Sequence, residues 1–206
     1  MRKIFISLIL LSATSFPTKV AADPVVENLM AAEAIVTSAR ERTLADVRYD
    51  PKYVVLTYPM GDVPADTGVC TDVVIRTYRN AFGFDFQKAV HEDMKRNFSA
   101  YPNNWGLKRP DKNIDHRRVP NLEKFLTRQG AALSLSKDPY DYQPGDIVSW
   151  KLGGRLAHIG IVSDKRLADG TPLIIHNMGK GPVEDNILWI PEMTGHFRFT
   201  PDQLTN

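Results

Sequence analysis

Apolar positions follow two different periods along this chain. Up to about residue 130 they recur every three to four residues, the spacing of a helix face, and after Tyr140 they alternate, the period of a strand. The Asp23-Pro24 pair can cap and start a first helix, and positions 26, 29, 30, 33 and 36 carry it to about Arg42. Residues 53–58 form a short β-rich run, and Pro59, Gly61 and Pro64 mark the loop after it. Thr67-Gly68 opens a second helix, with Val69, Val73, Tyr78 and Phe82 on or near one face and Gly83 as its stop. Residues 87–98 predict a third, with Val90, Met94 and Phe98 spaced by four. Asn121 is placed to cap a short fourth helix that closes at Gly130.

Between the third and fourth helices, residues 99–119 read as a long loop rich in Pro, Asn and Gly, with the charged cluster Asp115-His116-Arg117-Arg118 inside it. Loops of that length are often functional. The alternating segments 146–150, 157–163, 172–176, 186–190 and 196–199 predict strands separated by turns. Helices first and short strands afterwards give an α+β fold, N-terminal helices packed on a C-terminal antiparallel β-meander, in one domain.

Residues 1–22 change the picture of charge. Arg2 and Lys3 precede the apolar run 4–11, and Val20-Ala21-Ala22 offers small residues before Asp23. That is the layout of a secretory signal peptide cleaved after Ala22, with an apolar stretch too short to span a membrane. Its removal leaves residues 23–206 as the mature domain, periplasmic or secreted, with 23 basic against 24 acidic residues. Such a balance gives no electrostatic case for nucleic acid or anionic lipid, and it names no protein partner. With 43% hydrophobic and 24% charged residues the chain is neither disordered nor fibrous. A single cysteine excludes an internal disulfide framework and a four-thiolate zinc site.

That one cysteine, Cys70, falls in the first turn of the second helix. Free backbone N–H groups and the helix dipole there favour a thiolate; the bland alternative is a small buried hydrophobe. His158 interrupts one apolar strand and His176 another. Either alone reads as a satisfied core histidine. A turn centred near Leu167 sets the two directly opposite on one face of a hairpin, and a two-residue slip keeps that shared face. A helix-start thiolate beside paired imidazoles has the parts of a cysteine hydrolase: Cys70 attacks a carbonyl, His158 moves the proton, His176 orients His158, and backbone N–H groups hold the oxyanion.

The segments Gly68-Val69-Cys70-Thr71-Asp72, His158-Ile159-Gly160-Ile161-Val162 and Ile174-Ile175-His176-Asn177 resemble those of the NlpC-type papain-like cysteine peptidases of bacterial cell-wall turnover, and Gly145-Asp146-Ile147-Val148 is similar to the strand before the histidine strand there. Over nearly its whole mature length the chain looks like a narrower group, the YijF-like secreted proteins of unknown function. The resemblance implies an amidase or endopeptidase acting on peptidoglycan stem peptides without a cofactor, with Cys70, His158 and His176 as its catalytic residues. It makes Tyr58 a candidate substrate-site tyrosine. Val-Cys-Thr-Asp at the nucleophile departs from the more usual Asp-Cys-Ser-Gly, and the stretch between Cys70 and the sheet is expanded.

Arg117 and Arg118 could grip a substrate carboxylate, and Asp72 and Asn177 complete the candidate substrate contacts. The structural alternative for the arginines is a solvated or internally paired loop. His116 is an alternative base, His91 and His196 read as surface or helix-face residues, and Trp105, Trp150 and Trp189 read as packing residues before a sugar-stacking platform. Two functional alternatives stand beside the thiol hydrolase: a catalytically inactive module that binds cell-wall peptides or an envelope protein, and a Cys/His/His zinc hydrolase.

Overall fold

The computed structural model describes residues 23–190 and 192–201, so the leader expected over residues 1–22 lies outside the described residues. Helix α1 (Pro24–Glu41) starts where Asp23 accepts the Val25 N–H at 2.9 Å, and only its C-terminal half, around Ile35, Val36 and Ala39, is buried. Helices α2 (Cys70–Phe82), α3 (Phe86–Asn97) and α4 (Val119–Arg128) follow. Gly83 closes α2 in the left-handed conformation at φ 64°, and Asp85 caps α3 by accepting the Lys88 N–H at 3.1 Å.

Three local expectations change. Thr67-Gly68 does not open a helix; it is a two-residue strand, β2 (Thr67–Gly68), paired in parallel with β1 (Arg48–Tyr49). The run 53–58 forms no strand. Asn121 does not cap α4 but lies inside it, because Pro120 fits only the first helical turn and α4 therefore begins at Val119.

The main sheet contains β3 (Ile147–Leu152), β4 (Leu156–Arg166), β5 (Pro172–Asn177), β6 (Pro182–Asp185) and β7 (Met193–Phe197), all antiparallel, in the order β6-β5-β4-β3-β7. The meander thus runs from β3 to β6, and the last strand returns to pair with β3. The expected strand at 186–190 is a turn instead. Ile187 and Leu188 are adjacent and both buried, which a half-buried strand does not allow.

Helices cover one face of the sheet. There Cys70, Val73, Val74, Tyr78, Phe86 and Phe125 pack with Ile147, Ile159, Ile161 and Ile175. A second apolar cluster, Tyr142, Val148, Trp150, Val162, Ile174, Ile187 and Leu188, covers the other. Burial on both faces explains why the central strands read as nearly continuous apolar runs. Among the described residues no helix is long and apolar enough to cross a membrane.

Candidate functional site

Cys70 is the first residue of α2, reached through the β1–β2 pair, and it is buried with 5% of its surface exposed. The backbone N–H groups of Ile159, Thr71 and Cys70 itself face its sulfur. These donors favour a thiolate, but burial outweighs them, and the nearby Asp72 carboxylate adds to it; the thiol is pushed up to about 11. The low-pKa thiolate expected from the helix start is therefore not the resting species.

His158 and His176 come together as a pair, two residues out of the expected register. Gly160, not His158, stands opposite His176, and an irregularity between Val162 and Arg166 takes up the difference near the turn. His158 meets His176 on the diagonal, with Nε2 and Nδ1 3.2 Å apart and the rings nearly perpendicular at 88°. The glycine makes this possible: a Cβ at position 160 would stand 2.6 Å from Ile174 Cγ2 and 3.1 Å from His176 Cβ. Burial lowers both imidazoles, His158 to about 3, with its neighbour His176 adding to the effect. Both rings are neutral near pH 7.

Thiol and imidazoles meet the same stretch of β4 differently. Cys70 Sγ contacts the backbone of Ile159, whose side chain joins the helix-side cluster. His158 lies across from Trp150, ring centroids 5.8 Å apart, on the side of His176. Among the described residues no hydrogen bond joins Sγ to either ring. Nor are three His, Cys, Asp or Glu side chains gathered closely enough to hold a metal ion, so the Cys70–His158–His176 zinc arrangement is not formed.

The remaining candidates divide by place. Asp72 and Arg117 face each other in a buried bidentate pair (Nε–Oδ1 2.9 Å, Nη2–Oδ2 2.8 Å), and Asp72 also accepts the Val69 N–H at 2.7 Å. Instead of offering a fork to a substrate, Arg117 fixes the start of α2. Asn177 donates to the Gly68 carbonyl at 3.5 Å and ties the end of β5 to β2. Arg118 turns away to Asp115 (3.0 Å) and over the Trp105 ring (4.0 Å). Tyr58 is spent on Glu92, its hydroxyl donating at 2.7 Å, and packs against His91 on α3.

The tyrosine beside the thiol is Tyr49, whose hydroxyl is raised by partial burial and then by Cys70 and Asp72. No local pattern marks it; only the pairing Tyr49↔Gly68 brings it there. His116 is buried with Nδ1 unpartnered and is lowered to about 4 by burial, with Arg117 adding to it. His196 corrects the surface expectation: it is buried, 2.8 Å from Asp146 and stacked on Tyr142.

The family described as a domain of unknown function, DUF1287, matches residues 36–199. A curated relative, the uncharacterized protein YijF of Escherichia coli (strain K12), is 56% identical over 166 residues, covering 81% of this chain and 80% of its own. Two crystal structures of an N-acetylmuramoyl-L-alanine amidase from Bacteroides uniformis are similar at 14% and 15% identity, each with a TM-score of 0.48, covering 82% of this chain and 97% of theirs.

Proposed function

From the premise that this chain belongs to the DUF1287 family, whose description assigns no activity, we propose that it is a thiol hydrolase cleaving an amide bond in peptidoglycan stem peptides, outside the cytoplasm. The observation that carries the reading is the His158–His176 pair on β4 and β5, His158 preceding Ile159, whose N–H faces the sulfur at the start of α2. The likeness of these three segments to the NlpC-type peptidases supplies the substrate class, and the leader-like residues 1–22 supply the compartment.

The chemistry begins from neutral partners. With His158 protonated on Nε2 and donating to His176 Nδ1, its own Nδ1 carries a free lone pair. The step needs Sγ, which meets β4 from the helix side, to come within reach of that nitrogen, which lies on the side of Trp150 and His176; the thiol gives up its proton as it attacks the carbonyl carbon, so the thiolate exists only as the new bond forms. The backbone N–H groups at the α2 start are then available to the developing oxyanion. The proton on Nδ1 passes to the leaving amine, and water, activated by the same nitrogen, releases the acid from the thioester. In this tautomer His176 carries its proton on Nε2, the atom that is buried without a partner. Held this way, His176 orients His158 in the form that accepts a proton.

Incubation of the purified chain with defined muropeptides, read by product mass, tests this. Cys70→Ala should abolish turnover, and His158→Ala should reduce it roughly 10²–10⁴-fold. Undiminished turnover by Cys70→Ala overturns the proposal. The burial of Cys70 favours a second reading, a silent module that binds cell-wall peptides; binding without product from the wild-type chain is its signature.

A further inference from the structure

A cavity of about 300 Å³ lies between the end of α3, the loop after it and the start of α4. None of Cys70, His158 and His176 lines it. Its walls mix an apolar surface, from Met94, Phe98 and Leu107, with the aromatic Trp105 and several polar side chains, among them Asp115, Arg118 and Asn121. Mostly apolar concave sites with a few placed polar groups are the usual form of a small-ligand pocket.

Three details narrow the ligand. Asn121 is 1% exposed, its Nδ2 donates to the Asp115 carbonyl at 3.1 Å, and its Oδ1 is buried without a partner. An acceptor left in that state is destabilising, and an O–H or N–H brought by a ligand would satisfy it. Arg118 bonds Asp115 through Nη1 alone, leaving Nε and Nη2 as donors, while Asp115 already balances its charge. A ligand carboxylate would therefore gain little from Arg118 and would sit against Asp115. Trp105 has the Arg118 guanidinium over its ring at 4.0 Å and is still 40% exposed, an aromatic surface held in place by a cation rather than by burial. A neutral ring bearing groups that both donate and accept, with C–H faces to lie on an indole, satisfies all three.

We propose that this cavity is a saccharide-binding site, with Trp105 as its stacking surface, Asn121 Oδ1 as an acceptor for a sugar hydroxyl or acetamido N–H, and Arg118 as a donor. It does not rest on the thiol chemistry, since it shares no residue with Cys70, His158 or His176.

The test is ligand-detected saturation-transfer NMR on the full chain with N,N′-diacetylchitobiose and maltose as probes. Saturable transfer to the ring protons of at least one sugar is expected. It should weaken at least tenfold in Trp105→Leu, with an unchanged unfolding midpoint, and in Asn121→Ala. Should Trp105→Leu fail to fold, Leu107→Glu at the partly exposed wall of the cavity serves instead, with the same loss expected. Absence of saturable binding to either sugar overturns the proposal, as does equal binding by the variants. Displacement of the sugar by N-acetyl-leucine at lower concentration overturns it too, by reassigning the cavity to a carboxylate. Persistence of sugar binding in Cys70→Ala separates this outcome from failure of the hydrolase reading.

Discussion

At Cys70 two elementary effects oppose each other. Three backbone N–H groups stabilise a thiolate, and burial with a nearby carboxylate disfavours it more strongly. Alkylation by iodoacetamide should therefore accelerate with pH in the folded chain up to about 11, while the urea-unfolded chain should reach its half-maximal rate near the ordinary thiol pKa of about 8.5. A folded-state plateau below pH 8 would contradict this. The same locality makes Asp72 and Arg117 expensive to disturb. Their side chains are only 4% and 3% exposed, and Asp72→Asn or Arg117→Met leaves a buried charge without its partner. Each should cost about 3–5 kcal/mol in urea unfolding, whereas Lys95→Met, at an exposed pair, should cost under about 1 kcal/mol. The placement of Cys70 at a helix start and of His158 and His176 in two apolar strands was legible in the sequence, because these are local signals. The burial that reverses the thiol's expected titration and the approach of Tyr49 were not, since both come from contacts made by distant segments.

At the scale of elements, the β4–β5 hairpin decides whether the imidazoles can meet. Period-two alternation was enough to place positions 158 and 176 on one face, and that survives any even change of register. The actual partner of His176 is Gly160, because β4 takes four residues from Val162 to Arg166 where β5 takes two from Ile174 to Pro172. Nothing in the turn residues announced that irregularity. Its consequence is testable at the glycine. Gly160→Ala places a methyl 2.6 Å from Ile174 Cγ2 and 3.1 Å from His176 Cβ, in a fully packed face. Overpacking of this kind costs about 1–3 kcal/mol. The variant should also shift the His158 and His176 ring signals in NMR spectra; unchanged stability and unchanged ring shifts would show that β5 is not held so closely. The position of β7 beside β3 was likewise beyond local reading, since only long-range pairing distinguishes it from a continued meander.

Over the whole molecule, the buried histidines set a common response to acid. His116, lowered to about 4, and His158, lowered to about 3, are neutral in the folded chain well below the ordinary histidine value of 6.5, and His176 is lowered as well. Unfolding exposes these rings and restores that ordinary value. Well above pH 6.5 both states carry them neutral, and they contribute no pH dependence. As pH falls from about 6.5 toward 4, the unfolded chain takes up protons that the folded chain refuses, so stability declines over this window. Below it, Glu184 extends the decline: its hydrogen bonds with Arg40, Lys165 and Ser163 hold it at about 2, so the unfolded chain protonates first there too. Asp115 opposes the trend, because burial raises its carboxyl and the folded chain takes up that proton earlier. The histidines outweigh the one raised acid: by pH 5 the unfolded chain holds nearly one extra proton at each of His116 and His158, and His176 adds to them, whereas Asp115 can offset at most one. Urea unfolding at intervals from pH 7.5 to 4.5 should show a free energy flat at the upper end and falling steadily below about 6.5. His116→Phe keeps the ring volume without the titrating nitrogen and should flatten part of that slope. A stability that rises as pH falls from 6.5 to 5 would mean that the imidazoles are protonated in the folded chain, and His158 could then not begin the reaction as a base.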